Sequence, residues 1–397
     1  MIRRYVSTCL LLTVAMLAVG AAKAADDFMY DLFNGKDLSG WTLTNCKVDV
    51  KDGVLKLVEG NGFIRTNQQY GDFILELDWK APDQEKYDCG IFVRAEWPSA
   101  KKGREWPTQY QINLKNGEEG NLVGHPEATS KGLVKKGEWN HFKITAIGKK
   151  LSLDINGQHA WTFDKLENAS GVIGIQSEVP TGGQFQFRSL HLMEPGFQNL
   201  FNGRDLTGWE GDTKGHAVEN GAIVCIEDKG GNLYTKDEYD DYVFRFDFKI
   251  GPRGNNGLGI RMPLKGHPSH DGMELQIIDE QDPEYKTRLK PYQRHGSVYG
   301  VAPAKENDAQ KPVGEWNSQE VVCDGPNIKV TLNGEVILDV NLDDYSKGQF
   351  IDKDRHPGVH RTTGRIGFLG HGTRVEFRNV RVKPLQSGSS TAAAVAP

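Results

Sequence analysis

LFNGKDLSGW at residues 32–41 returns as LFNGRDLTGW at 200–209. The offset is 168 residues, far beyond the roughly 20–50 residues of a solenoid unit and about the size of a complete domain. Later landmarks return in the same order at nearly the same spacing. The chain is therefore a tandem duplication, and its function can be sought in polar residues that one copy has and the other lacks.

Each copy reads as strands and turns. FILELDWK (73–80) and YVFRFDFK (242–249) alternate apolar with polar residues, as half-buried strands do. KLSLDINGQHAWTF (150–163) and IKVTLNGEVILDV (328–340) set Asn-Gly between alternating runs, a strong hairpin signal. The closing stretches, GVIGIQS with FQFRSLHL and GRIGFLG with VEFRNVRV, are again strands, and helical periodicity is almost absent. These features predict an all-β protein of two tandem antiparallel β-sandwich domains of jelly-roll type, spanning 27–194 and 197–384. The linker Glu194-Pro195-Gly196 is so short that the two domains are expected to touch in a fixed orientation. From Leu385 the Ser/Ala-rich tail (385–397) has no core-forming pattern and is expected to be disordered.

Residues 1–24 place Arg3 and Arg4 before an apolar run and end on Ala22-Lys23-Ala24, the layout of a cleaved signal peptide. A secreted or periplasmic protein without a lipid anchor is expected, because Cys9 lies inside the apolar run. Cleavage leaves 45 basic against 53 acidic residues, a net charge of −8. That balance, with no basic block, excludes nucleic acid and anionic membranes as expected partners and favours a neutral or polar ligand. Cys46, Cys89, Cys225 and Cys323 do not occupy matching repeat positions, so buried free thiols are expected rather than a shared disulfide.

The order LFNGxDLxGW, Asp-aromatic strand, GIxxR, ExQxxD, EWN, LNG and FRNVRV resembles the 3-keto-disaccharide hydrolase domain family, once per copy. The resemblance implies the concanavalin A-like sandwich of lectins and glucanases. It also implies a glycoside substrate oxidised at carbon 3 by an upstream sugar oxidoreductase. A ketone at carbon 3 acidifies the proton on carbon 2, so a base can remove it and expel the group on carbon 1. Such a site needs a base, a donor to the enolate oxygen and an acid for the leaving group.

The second copy offers these groups. Arg261 ends GLGIRM (257–262), and Glu274 and Gln276 in GMELQIID (272–279) share one strand face by their spacing. Arg261 is expected to hold the oxyanion, Glu274 or His371 to move the carbon-2 proton, and the other to assist departure. Gln276 and Tyr299 are expected to orient the sugar; Tyr299 resembles the family's G-x-x-Y tyrosine. Asp279 completes an E-x-Q-x-x-D spacing similar to the E-x-D-x-x-E of laminarinase-type glucanases, but an unbroken strand sends it to the other face. Arg355 and His360 are candidate ligand contacts on a loop. The histidines of 262–271 and 352–363 match no tight zinc pattern, so neither a metal nor a cofactor is expected.

In the first copy, the sequence match pairs Arg94 with Arg261, Gln111 with Gln276, Gln109 with Glu274 and Ser177 with His371. By that reading it has lost both proton-transfer groups and serves as a sugar-binding module or scaffold. Trp97 and Trp106 either stack on sugar or pack their own loop. Two other functions stay open: a noncatalytic protein with two lectin-like modules, and a retaining glucanase on unoxidised glucans, which needs Glu274 and Asp279 on one face.

Overall fold

The computed structural model describes residues 28–97, 106–345 and 350–385; the expected signal peptide (1–24) and all of the expected tail except Leu385 lie outside the described residues. Alternation of apolar residues sets the layers. Phe73–Lys80 turns Phe73, Leu75, Leu77 and Trp79 inward, and Tyr242–Ile250 does the same with Tyr242, Phe244, Phe246 and Phe248. Each strand is central. The first lies between Gln186–Met193 and Asn140–Ile147, and the second between Val375–Pro384 and Trp316–Asp324. Both Asn-Gly pairs form two-residue hairpins, with φ of 52° and 79° at Asn156-Gly157 and 49° and 90° at Asn333-Gly334. Positive φ at both central residues is what a type I′ turn demands.

The fold is all-β and antiparallel, with the described ladders forming one eleven-stranded sheet in the first copy and sheets of eight and five strands in the second. The difference has a local cause. In the first copy Val54–Thr66 runs unbroken through both layers, bending where Gly60 and Gly62 pass Asn45 and Thr44; a Cβ at either glycine would fall 2.3 or 2.0 Å from a carbonyl oxygen. In the second copy a turn divides the same stretch into Ala222–Cys225 and Asn232–Thr235. Lys229 N and Gly230 N close it by donating to Ile226 O at 3.1 and 2.9 Å. Buried apolar side chains form one large cluster in each copy. Trp41 and Trp209 anchor the repeated opening motif: each indole Nε1 donates to the carbonyl nine residues earlier, Leu32 at 2.8 Å and Leu200 at 2.7 Å.

The linker is a buried junction. Glu194 Oε2 accepts from Tyr30 Oη and Arg381 Nε, both at 2.9 Å, while Glu194 Oε1 pairs with Arg245. Arg381 also reaches Gln68 Oε1 at 3.3 Å, so residues of both copies converge on one carboxylate. Burial pushes the Glu194 carboxyl up, but the two guanidiniums outweigh it and hold it below the usual carboxylate range. The four cysteines of the described residues are free; all but half-buried Cys46 are buried. No helix among the described residues is long and apolar enough to cross a membrane.

Candidate functional site

Asn255–Met262 pairs with Met273–Ile278 so that Gly257 faces Gln276 and Gly259 faces Glu274. Glycines here make room for longer side chains: a Cβ on Gly257 would fall 2.3 Å from Glu274 Oε1 and 2.7 Å from its Cγ. The adjoining strand Arg365–Gly370 ends at the same place and delivers His371, whose Nε2 donates to Glu274 Oε1 at 3.2 Å. Glu274 is buried, whereas the His371 side chain is 44% exposed. Hydrogen bonding to Glu274 and that residue's charge raise the His371 pKa, against the lowering by burial. The contact with Glu274 therefore favours the protonated form of His371.

Glu274 and His371 open into a cavity of about 460 Å³ that Gln276 and Tyr299 also line. Gln276 Nε2 donates to Asn255 Oδ1 at 2.7 Å, which leaves Gln276 Oε1 and Asn255 Nδ2 as the free ends of the two amides. The Tyr299 hydroxyl accepts from Gln293 Nε2 at 3.2 Å, so its own proton is available to a ligand. Tyr299 N donates to Glu274 O at 2.9 Å, fixing the tyrosine beside the acid. Four of the expected residues, Glu274, His371, Gln276 and Tyr299, thus converge. Asn255 joins them from the start of its strand, and His267, Ser269, Tyr285, Arg288 and Gln293 from loops and short helical turns; only an excess of polar residues in those connecting segments hinted at this.

Arg261 does not converge. Its φ is 50°, and the ladder shifts register between Gly259 and Met262, so the side chain leaves the groove. It is buried against Gly325 O at 2.7 Å, Arg361 O at 3.1 Å and Asp241 Oδ1 at 3.1 Å. Arg94 repeats this at φ 44°, bonding Gly71 O, Gly148 O and Asp72. The shared arginine is a structural tie between loops, not an oxyanion donor. Asp279 is also elsewhere: its oxygens accept from Arg253 N at 3.0 Å and Gln281 N at 3.1 Å in the turn after the strand. Glu274 and Asp279 do not share a face, which removes the geometry that retaining hydrolysis needs. Arg355 and His360 are exposed and do not line the cavity, while buried His356 bonds Ser269 O and Asp352.

Ladder register corrects the match between copies. Gly90 faces Asn113 and Phe92 faces Gln111, as Gly257 faces Gln276 and Gly259 faces Glu274. Gln111, not Gln109, is therefore the counterpart of Glu274, and Asn113 that of Gln276. The next strand sets Gly174 beside Phe92 as Gly367 lies beside Gly259, which makes Glu178, not Ser177, the counterpart of His371. The first copy fills the equivalent space. Phe92 stands where Gly259 does, Phe63 and Trp97 pack with tilted rings at 5.1 Å between centroids, and Gln111 Nε2 donates to Gln176 Oε1 at 2.8 Å. Trp97 and Trp106 pack onto Phe63, Phe92, Ala95 and Val172.

Glu178 is pushed up to about 7 by burial first and by Asp88 second. Its contribution to stability is complete below the ordinary glutamate value of 4.5 and is lost as pH rises through about 7. Glu178→Gln, neutral throughout, is therefore expected to raise the thermal midpoint of the first copy above about pH 7 and to match the parent below 4.5. Calorimetry at the two pH values checks this; an equal shift at both would contradict it.

Among proteins of known description, a 3-keto-disaccharide hydrolase of Bacteroides thetaiotaomicron is 25% identical over 265 residues, covering 57% of this chain and 91% of that one. Two solved structures, both putative glycosyl hydrolases of Parabacteroides distasonis, are 26% and 30% identical. Each covers 48% of this chain, and 99% and 94% of their own chains, with TM-scores of 0.44 and 0.41. The model of the 3-keto-alpha-glucoside-1,2-lyase-like domain matches residues 29–193 and again 196–383, and the chain belongs to that family through both of its copies.

Proposed function

We propose that this protein is a carbohydrate-active enzyme that cleaves 3-keto-glycosides in its second copy, the first serving as a noncatalytic partner. The observation that carries the reading is the Glu274–His371 pair, hydrogen-bonded at 3.2 Å on the wall of a polar cavity, with Gln111 and Glu178 at the matching places of the first copy. Family membership and the described relative support the substrate class.

The Glu274 carboxylate takes the proton from carbon 2. The C–H electron pair forms the enolate, whose oxygen accepts from the Tyr299 hydroxyl and Asn255 Nδ2, the donors that remain once Arg261 is assigned to structure. The enolate then collapses, forming the C1–C2 double bond and expelling the carbon-1 oxygen, which takes a proton from His371. Addition of water across that bond, hydroxyl to carbon 1 and proton to carbon 2, completes hydrolysis. No oxidant is consumed, so the ketone must come from a separate oxidoreductase acting first.

The test is a paired assay on a glucoside and its 3-keto derivative, following the released alcohol and enone absorbance. Cleavage of the keto substrate alone is expected; binding of both with cleavage of neither would move the reading to a lectin-like protein. Gly257→Ala supplies a geometric check, since the added methyl must displace the Glu274 carboxylate while strand dihedrals stay accessible. Turnover is expected to fall on the order of 10²-fold with the fold retained, the penalty of a misplaced reacting group. Unchanged turnover would remove Glu274 from the reaction.

A further inference from the structure

A second polar cavity of about 420 Å³ adjoins the first, and Tyr285 and Leu289 belong to the walls of both. They stand on and just after the short helix Pro283–Arg288, which Asp282 caps by accepting from Glu284 N at 2.9 Å and Tyr285 N at 3.2 Å. Tyr285 is further fixed by its hydroxyl, which donates to Arg253 O at 3.4 Å. The helix therefore forms a sill between two compartments of one groove, with a half-buried aromatic face on it.

The segment that builds this second compartment is where the two copies differ in length. Between the strand ending at Asn113 and the one starting at Asn140 the first copy has residues 114–139, while the second has the longer stretch 279–315 between Ile278 and Trp316. The longer stretch supplies the helix and, on either side of it, Glu280, Arg294, Glu306 and Asp308. Arg294 pairs with Glu306, and burial raises the Glu280 carboxyl. Mixed acceptors and donors around an aromatic sill suit an uncharged, hydroxyl-rich ring, whose hydroxyls can both donate and accept. A strongly charged ligand of either sign would meet like charge there.

We propose that the second compartment is a distal subsite for the leaving group, and that the natural substrates are extended neutral glycans with at least one sugar beyond the first leaving-group ring. The inference rests on the functional reading above. With carbon 2 of the keto sugar on Glu274, whatever extends from the carbon-1 oxygen is the leaving group, and the adjoining compartment receives its far end.

The full mature protein is assayed on a 3-keto disaccharide and on the trisaccharide lengthened by one neutral hexose at the leaving-group end. Wild type is expected to favour the trisaccharide in kcat/KM on the order of tenfold, about 1.4 kcal/mol. The double variant Glu306→Ala/Asp308→Ala, at exposed residues outside the catalytic cavity, is expected to remove that preference and leave the disaccharide value unchanged. Equal kcat/KM for both substrates in wild type, or equal losses on both in the variant, would overturn the subsite. If neither substrate is cleaved, the functional reading has failed; the subsite is then judged by calorimetric binding of the unoxidised pair. Tighter trisaccharide binding that the variant abolishes supports it, and equal affinities reject it.

Discussion

Glu274→Gln is expected to lower turnover of a 3-keto-glucoside by about 10²–10⁴-fold, the range that a positioned proton-transfer group supplies. Gln keeps the size and one hydrogen-bonding oxygen, so folding and substrate affinity should survive while the base is lost. The same change should be visible at its neighbour. Glu274 raises the His371 pKa through a hydrogen bond and a charge, and the variant loses the charge, so His371 should titrate at lower pH by NMR. On the proposed mechanism His371 must be protonated to deliver its proton, so activity should decline as pH rises through that raised pKa. His371→Ala should flatten this alkaline limb for substrates whose leaving group departs without protonation. Activity within a few-fold of wild type in Glu274→Gln would dismiss the assignment.

The largest effect on stability is expected at the linker. Glu194→Gln leaves Arg245 and Arg381 buried without the carboxylate that now faces both, and breaking such a cluster costs about 3–5 kcal/mol. The loss should appear in denaturant unfolding as earlier and less coupled transitions of the two copies. Because the folded-state carboxyl is depressed, its stabilisation is present above the ordinary carboxylate pKa and disappears as pH falls through the lower folded value. Wild type should therefore lose stability over that acid range more steeply than the variant. A variant with the parent's transitions and pH dependence would show that other contacts hold the copies together.

Period-two alternation and Asn-Gly turns were enough to read an antiparallel sandwich, because side-chain direction along a strand and φ > 0 at a hairpin are local properties. The common face of Glu274 and Gln276 was legible for the same reason. Register was not. Pairing Gln109 with Glu274 is wrong by two residues, and a two-residue slip keeps every side chain on its face, so alternation carries no trace of the error. Arg261 was misassigned because its left-handed backbone and the neighbouring register shift turn the side chain out of the groove, which only the ladder reveals.

The sequence by itself determined the duplication, the strand-rich class and the common strand face of Glu274 and Gln276, and it proposed Glu274 and His371 as candidates. The tertiary structure alone decided that they meet, that Phe63, Phe92 and Trp97 fill the equivalent space of the first copy, and that Glu194 of the linker is a buried ionic centre. Local preferences fix which way a residue points along its own strand. Which distant residue it then faces depends on how strands pair and how the two copies dock, and no local pattern encodes that.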